Sequence, residues 1–339
     1  MKPTRVLIIQ TASLGDVILS TSLAETLHNL SDDFEIDFLI KDGYQGLFEN
    51  HPFVKEVLVW NKSHKKYKRL INLITKVRSN KYDVVLNIHR FASSGVITAL
   101  SGAKVKAGFT KNPLSLFYTH KVVHNIGDNS HETQRNKEIL NAVYEGAKHI
   151  DTGKPRLYPS ASDFASTAQL INNKYITISP ASLYFTKRLP GKKWIEFIDR
   201  LPEDLDVVLL GSKADSELCE LIIKSCKKSQ IINLSGRLSF LESAAVMSKA
   251  VINYVNDSAP LHIASSMNAP VVAVFCSTVP AFGFGPLSDR SYIVETTVEL
   301  SCRPCGLHGY QKCPLDHFKC AETISVNQLL LPLTYESGN

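Results

Sequence analysis

Arg5-Val-Leu-Ile-Ile-Gln10-Thr-Ala-Ser-Leu-Gly-Asp16-Val17 is the stretch on which the fold turns. Arg5 to Gln10 is an apolar, β-branched run of strand length. Small residues follow, and an amphipathic segment runs from Asp16 to Leu30. A strand that passes through a short loop into a helix is the first half of a βα unit. The alternation continues outward, with Phe34–Ile40, Val57–Trp60 and Asp83–Ile88 reading as strands and Tyr67–Ser79 as a helix. This is the rhythm of a parallel sheet.

Past Thr110 the rhythm becomes irregular, and Lys154-Pro-Arg-Leu-Tyr-Pro159 reads as an extended linker into a helix near Ser162. The alternation then restarts. Tyr175–Ser179, Asp206–Gly211, Ile231–Leu234, Ala250–Tyr254 and Val271–Phe275 read as strands, with Lys193–Arg200, Asp215–Lys227 and Ser239–Ser248 as helices. The chain therefore reads as α/β with two doubly wound Rossmann-like domains, residues 1–160 and 161–325. Residues 326–339 are left as a tail that could cross back to the first domain. Ligands of open α/β sheets bind at the carboxyl ends of the strands, so with two such halves the site is expected in a cleft between them.

The chain's 339 residues exceed the size at which one core keeps growing. Hydrophobic residues make up 44% and charged residues 21%, which excludes disordered and fibrous classes. The N-terminal apolar run, Val6–Ile9, is too short for a signal peptide core or a membrane span, so a cytoplasmic protein is expected. Lys and Arg exceed Asp and Glu by only 38 to 32, which gives no sign of a nucleic-acid partner. The stretch Asn61–Arg69 holds five cations within eight residues. It reads either as a solvated helix start or as a peripheral contact with anionic lipid at the inner face of the cytoplasmic membrane.

Three loops carry candidate chemistry. In Thr11–Val17, Gly15 lets a ligand approach the backbone, Ser13 lies beside it, and Asp16 stands at a helix N-terminus, where it serves either as a cap or as an ionised functional carboxylate. In Ser179–Pro190 the hydroxyl of Ser182 and the adjacent cations Lys187 and Arg188 precede a helix, a composition suited to a diphosphate. In Tyr254-Val-Asn-Asp-Ser-Ala-Pro-Leu-His-Ile-Ala264 an apolar strand meets Asp257 and Ser258 at a helix start, with His262 one turn on. That loop reads as a plain N-cap or as a phosphate cradle.

In this order and spacing, SLGD, TKR-x-P and ND-S/T-x-P-x-H followed by PVVAVF resemble glycosyltransferase family 9, the ADP-heptose:lipopolysaccharide heptosyltransferases. The resemblance runs to Cys320 and just beyond. It implies a GT-B fold with an N-terminal acceptor domain and a C-terminal nucleotide-sugar domain facing each other across the cleft. It also implies inverting, metal-independent transfer of a sugar, heptose from ADP-heptose, onto a lipopolysaccharide inner-core or related glycolipid acceptor. Asp16 maps to the general base, with Ser13 and Gly15 on the acceptor side. Lys187 and Ser182 map to the donor phosphates, Asp257, Ser258, Ala259 and His262 to the diphosphate and heptose, and Glu217 (or Asp215) to the ribose. Two positions depart from the family: Ala259 replaces a usual Gly, and Leu189 stands where an aromatic is common. A nucleotide-sugar epimerase and a non-catalytic nucleotide-sugar-binding protein are the competing readings. No cofactor is expected for catalysis.

Cys302, Cys305, Cys313 and Cys320 have a spacing acceptable for structural zinc. Reduced thiols or a facultative disulfide are the alternatives.

Overall fold

A computed structural model describes residues 2–61 and 66–336. The chain forms two compact units that divide between Tyr158 and Pro159.

The first unit runs β1 (Thr4–Gln10), α1 (Leu14–Leu30), β2 (Phe34–Lys41), β3 (Val54–Trp60), α2 (Lys66–Ser79), β4 (Val84–Asn87), α3 (Ala92–Leu100), β5 (Val105–Phe109), β6 (His120–Val122) and α4 (Glu132–Val143). Its six-stranded sheet has the order β3-β2-β1-β4-β5-β6, and the pairs are parallel. β1 is central, and Val6–Ile9 are fully buried between helices on both faces. That is why the run is unbroken rather than alternating. Burying each such side chain is worth about 1.5–3 kcal/mol.

α1 begins at Leu14, two residues earlier than the sequence suggests, because Ser13 forms a capping box with Asp16. The expected linker is extended and lies along α1. Thr26 Oγ1 accepts the Gly153 N–H at 3.2 Å, Thr21 Oγ1 accepts that of Arg156 at 2.9 Å, and Tyr158 donates to Glu25 at 2.7 Å.

The second unit runs α5 (Ala161–Ala168), β7 (Tyr175–Ser179), α6 (Gly191–Ile198), β8 (Asp206–Leu209), α7 (Ser216–Ser225), β9 (Ile231–Asn233), α8 (Phe240–Lys249), β10 (Asn253–Asn256), α9 (Ala259–Ser266), β11 (Val271–Phe275), β12 (Ser291–Glu295), α10 (Lys319–Glu322) and α11 (Val326–Glu336). Its sheet order, β12-β11-β10-β7-β8-β9, matches that of the first sheet when each is numbered from its own first strand. Both place their topological switch point beside the first strand, between β1 and β4 and between β7 and β10. Trp194, Phe197 and Tyr254 fill the second core, which also takes in Val326, Leu329 and Leu333 of α11. Tyr254 donates to the Leu329 carbonyl at 3.0 Å. The described part of the C-terminal tail is thus docked on the second unit's own core.

Candidate active site

The loops that follow β1 and β4 meet at the first switch point. Ser13 N–H and Oγ donate to Asp16 Oδ2 at 3.1 and 2.5 Å, and Asp16 N–H donates back to Ser13 Oγ at 3.5 Å. The capping reading of Asp16 is therefore realised, and it also fixes the half-exposed carboxylate at the mouth of the loop. Gly15 is buried and Ser13 is exposed beside Asp16.

His89, absent from the sequence reading, stands on the neighbouring loop with Nδ1 2.9 Å from Thr11 Oγ1. Its backbone is held by Asn87 and Asn112. The only signal for it in the sequence is its place just past the β4 run. The basic segment Asn61–Arg69 is described only at Asn61 and from residue 66 onward, and 62–65 lie outside the described residues.

At the second switch point, Lys187 Nζ lies 2.7 Å from Asp257 Oδ2, and Thr278 Oγ1 donates to the same oxygen at 2.6 Å. Asn256 holds the arrangement together. Its Oδ1 accepts the Leu189 N–H at 2.9 Å, and its Nδ2 donates to the Pro180 carbonyl at 2.8 Å, with those of Ser179 and Ala181 at 3.4 Å. One buried amide thus sets the course of the whole β7–α6 loop. Ser182 lies in that loop, and its carbonyl accepts from Arg188 Nε at 2.6 Å.

Ser258 is the N-cap of α9 in extended conformation, Pro260 fills the first turn, and His262 is buried one turn on. Ala259 is the first helical residue and is not among the positive-φ positions. A residue other than glycine therefore meets no backbone penalty here. Leu189, in place of the family's aromatic, is packed in the second core. Glu217 lies exposed in the first turn of α7, whereas Asp215 is absorbed in a capping box with Ser212 at 2.7–2.8 Å.

The cysteine segment docks on the Lys187 loop. Thr186 N–H donates to the Tyr310 carbonyl at 3.0 Å, Tyr310 N–H donates to Thr186 Oγ1 at 2.8 Å, and Ser277 Oγ joins Thr186 at 3.0 Å. Arg303 ties the segment to the end of β11 by donating to the Cys276 and Thr278 carbonyls and to Glu295. For Cys302, Cys305, Cys313 and Cys320 the structure draws the reduced-thiol reading. Among the described residues no three or more His, Cys, Asp or Glu side chains are grouped to hold a metal, and the cysteines are free thiols. Cys305 spends its thiol proton on the Cys302 carbonyl at 3.2 Å, and Cys302 Sγ lies 3.9 Å from His317 Nε2. Burial pushes the Cys320 thiol up to about 11 and also raises that of Cys305.

Two doubly wound parallel sheets of one strand order, each presenting its loops at its own switch point, are the architecture of the GT-B glycosyltransferases. The model of glycosyltransferase family 9 (heptosyltransferase) matches residues 70–311, and the chain belongs to that family. Lipopolysaccharide heptosyltransferase 3 of Escherichia coli K12 is 26% identical over 289 residues, covering 79% of this chain and 81% of that one. The crystal structure of a family 9 glycosyltransferase from Veillonella parvula superposes with a TM-score of 0.85 at 20% identity, covering 99% and 98% of the two chains. The ADP-heptose lipopolysaccharide heptosyltransferase II of E. coli superposes at 0.82, with 19% identity and 98% of both chains covered. Family membership favours transfer over the epimerase reading. Among the described residues no helix is long and apolar enough to cross a membrane.

Proposed function

We propose that the protein transfers heptose from ADP-heptose onto a lipopolysaccharide inner-core or related glycolipid acceptor, with inversion and without a catalytic metal. In this reading the first unit takes the acceptor and the second takes the donor. The observation that carries it is the Lys187–Asp257 pair at 2.7 Å beside the start of α9. A lysine held by a buried carboxylate next to a helix N-terminus is a ready counter-charge for a diphosphate. Asp16, fixed by Ser13, accepts the proton of the attacking hydroxyl as its oxygen bonds to the anomeric carbon. The bond from that carbon to the diphosphate breaks, and the nucleoside diphosphate leaves against Lys187 and the α9 N–H groups. Ser182, Ser258, Ala259 and His262 line the donor's diphosphate and sugar, and Glu217 meets the ribose. The enzyme works in the cytoplasm, at the inner face of the membrane that carries its acceptor.

Asp16→Asn tests the base. Calorimetric binding of ADP-heptose should persist while transfer falls by about 10²–10⁴-fold. Loss of both binding and transfer, or of neither, would overturn the assignment. Full activity in EDTA is expected, and inactivation that added Mg²⁺ reverses would refute metal independence.

A further inference from the structure

We propose that the first unit carries a second anion site, at the amino ends of its strands, which takes a phosphate group. A cavity of about 330 Å³ opens where β1, β4 and β5 begin, and its lining includes Lys2, Arg78, Lys81, Asp83, Gly102 and Lys104. The strands are parallel, so this edge lies opposite the loops that hold Asp16 and His89. The proposed reaction makes no use of it.

Four cations from three segments, Lys2 before β1, Arg78 and Lys81 at the end of α2, and Lys104 before β5, line one cavity with a single carboxylate. Asp83 Oδ2 already accepts the Arg5 backbone N–H at 3.0 Å. α2 and α3 both end here, and each helix C-terminus contributes about half a negative charge. Four positive charges, less one carboxylate and the two helix ends, leave an excess of about two. A phosphate dianion matches that excess.

The backbone also favours a ligand. Lys81 follows α2 with its N–H on the Arg78 carbonyl at 3.1 Å and φ at 53°. Gly or Asn is the usual choice at such a position, because a β-carbon is crowded there. The turn sets Lys81 in the lining of the cavity. Arg78 is steadied by donating from Nη1 to the Leu100 carbonyl at 3.0 Å, so its guanidinium is pre-oriented. Gly102, at φ 80°, has no atom within 4 Å of where a Cβ would stand, which leaves room for an oxygen beside the backbone.

The phosphate could belong to a soluble phosphate compound or to a lipid headgroup, and two arms separate them. In the first, inorganic phosphate is titrated by calorimetry into wild type and Lys81→Glu/Lys104→Glu, so that any phosphate held at the Lys187 loop is common to both proteins and cancels in the comparison. Wild type should bind with affinity falling as salt rises. The double reversal should bind at least about tenfold more weakly. In the second, co-sedimentation with phosphatidylcholine vesicles is compared with and without phosphatidylglycerol. Pelleting that needs phosphatidylglycerol and is lost in the double reversal identifies a headgroup, whereas phosphate binding without pelleting identifies a soluble ligand. Lys81→Asn/Lys104→Gln, in which Asn suits the left-handed backbone, guards against misfolding and should show the same losses. The proposal is overturned if neither probe binds wild type, or if both variants bind phosphate and vesicles as wild type does.

Discussion

Replacing Asn256 by Ala should loosen the Lys187 loop without touching a reacting group. The substitution strips the buried Leu189 N–H of its acceptor and the Pro180 carbonyl of its donor, bonds of 2.9 and 2.8 Å. Two such bonds contribute about 1 kcal/mol each, and leaving a buried donor unsatisfied costs about 1–3 kcal/mol more, so a total loss of about 3–5 kcal/mol is expected. Asn256→Asp has almost the same shape and can still accept from Leu189. It turns a carboxylate toward the carbonyls of Ser179, Pro180 and Ala181 and should therefore be the worse of the two. Urea unfolding followed by tryptophan fluorescence in a Trp60→Phe background reads the second unit, since Trp194 is buried in its core and Trp60 in that of the first. Calorimetric titration of ADP-heptose reads the loop. A loss below about 0.5 kcal/mol with unchanged donor affinity would refute the clamp, as would Asn256→Asp proving milder than Asn256→Ala.

Lys187→Ala leaves the buried Asp257 carboxylate with Thr278 alone, so stability should drop by about 3–5 kcal/mol. Lys187→Met/Asp257→Leu should regain most of that stability in urea melts while transfer stays lost. His51 gives the first unit a pH signature. Burial holds its pKa at about 4, below the usual 6.5 of a histidine, so between these values the unfolded chain binds more protons. Its stabilisation is complete above pH 6.5 and fades toward pH 4, by up to about 3 kcal/mol. Glu25, raised by burial, works in the opposite sense. The His51 step is therefore read as the difference between wild type and His51→Gln in melts from pH 7 to pH 4. Gly309→Ala adds a methyl 2.8 Å from Thr186 Oγ1 at a φ of 72° and should cost about 1–3 kcal/mol. Donor affinity should fall with it if the cysteine segment braces the Lys187 loop.

The parallel sheets were legible because their central strands are buried on both faces and show it as unbroken apolar runs, as Val6–Ile9 and Val271–Phe275 do. Edge strands carry no such mark. The edge strand β6 is three residues long and only partly buried, and its neighbour β5 contains Gly108, where a Cβ would fall 2.6 Å from the Asn87 carbonyl. β10 was expected at Ala250–Tyr254 but runs Asn253–Asn256. The apolar residues before it enter the core ahead of the ladder, while Asn253 pairs with Thr177. The Lys187 and Asp257 loops could be placed because charged residues followed recognisable strands. His89, Thr278 and the Thr186–Tyr310 link could not, since each depends on contacts between segments far apart in the chain.

The docking of residues 302–313 onto Thr186 makes the thiols a built-in gauge of loop opening. Cys276 is wholly buried with its thiol held protonated, and Cys320 is nearly as shielded. A small alkylating reagent can reach them only while the core that they share with Leu189 of the Lys187 loop is open. The labelling rate of these two cysteines therefore counts excursions of the Lys187 loop, and a ligand that stills the loop should slow the labelling in step with its occupancy.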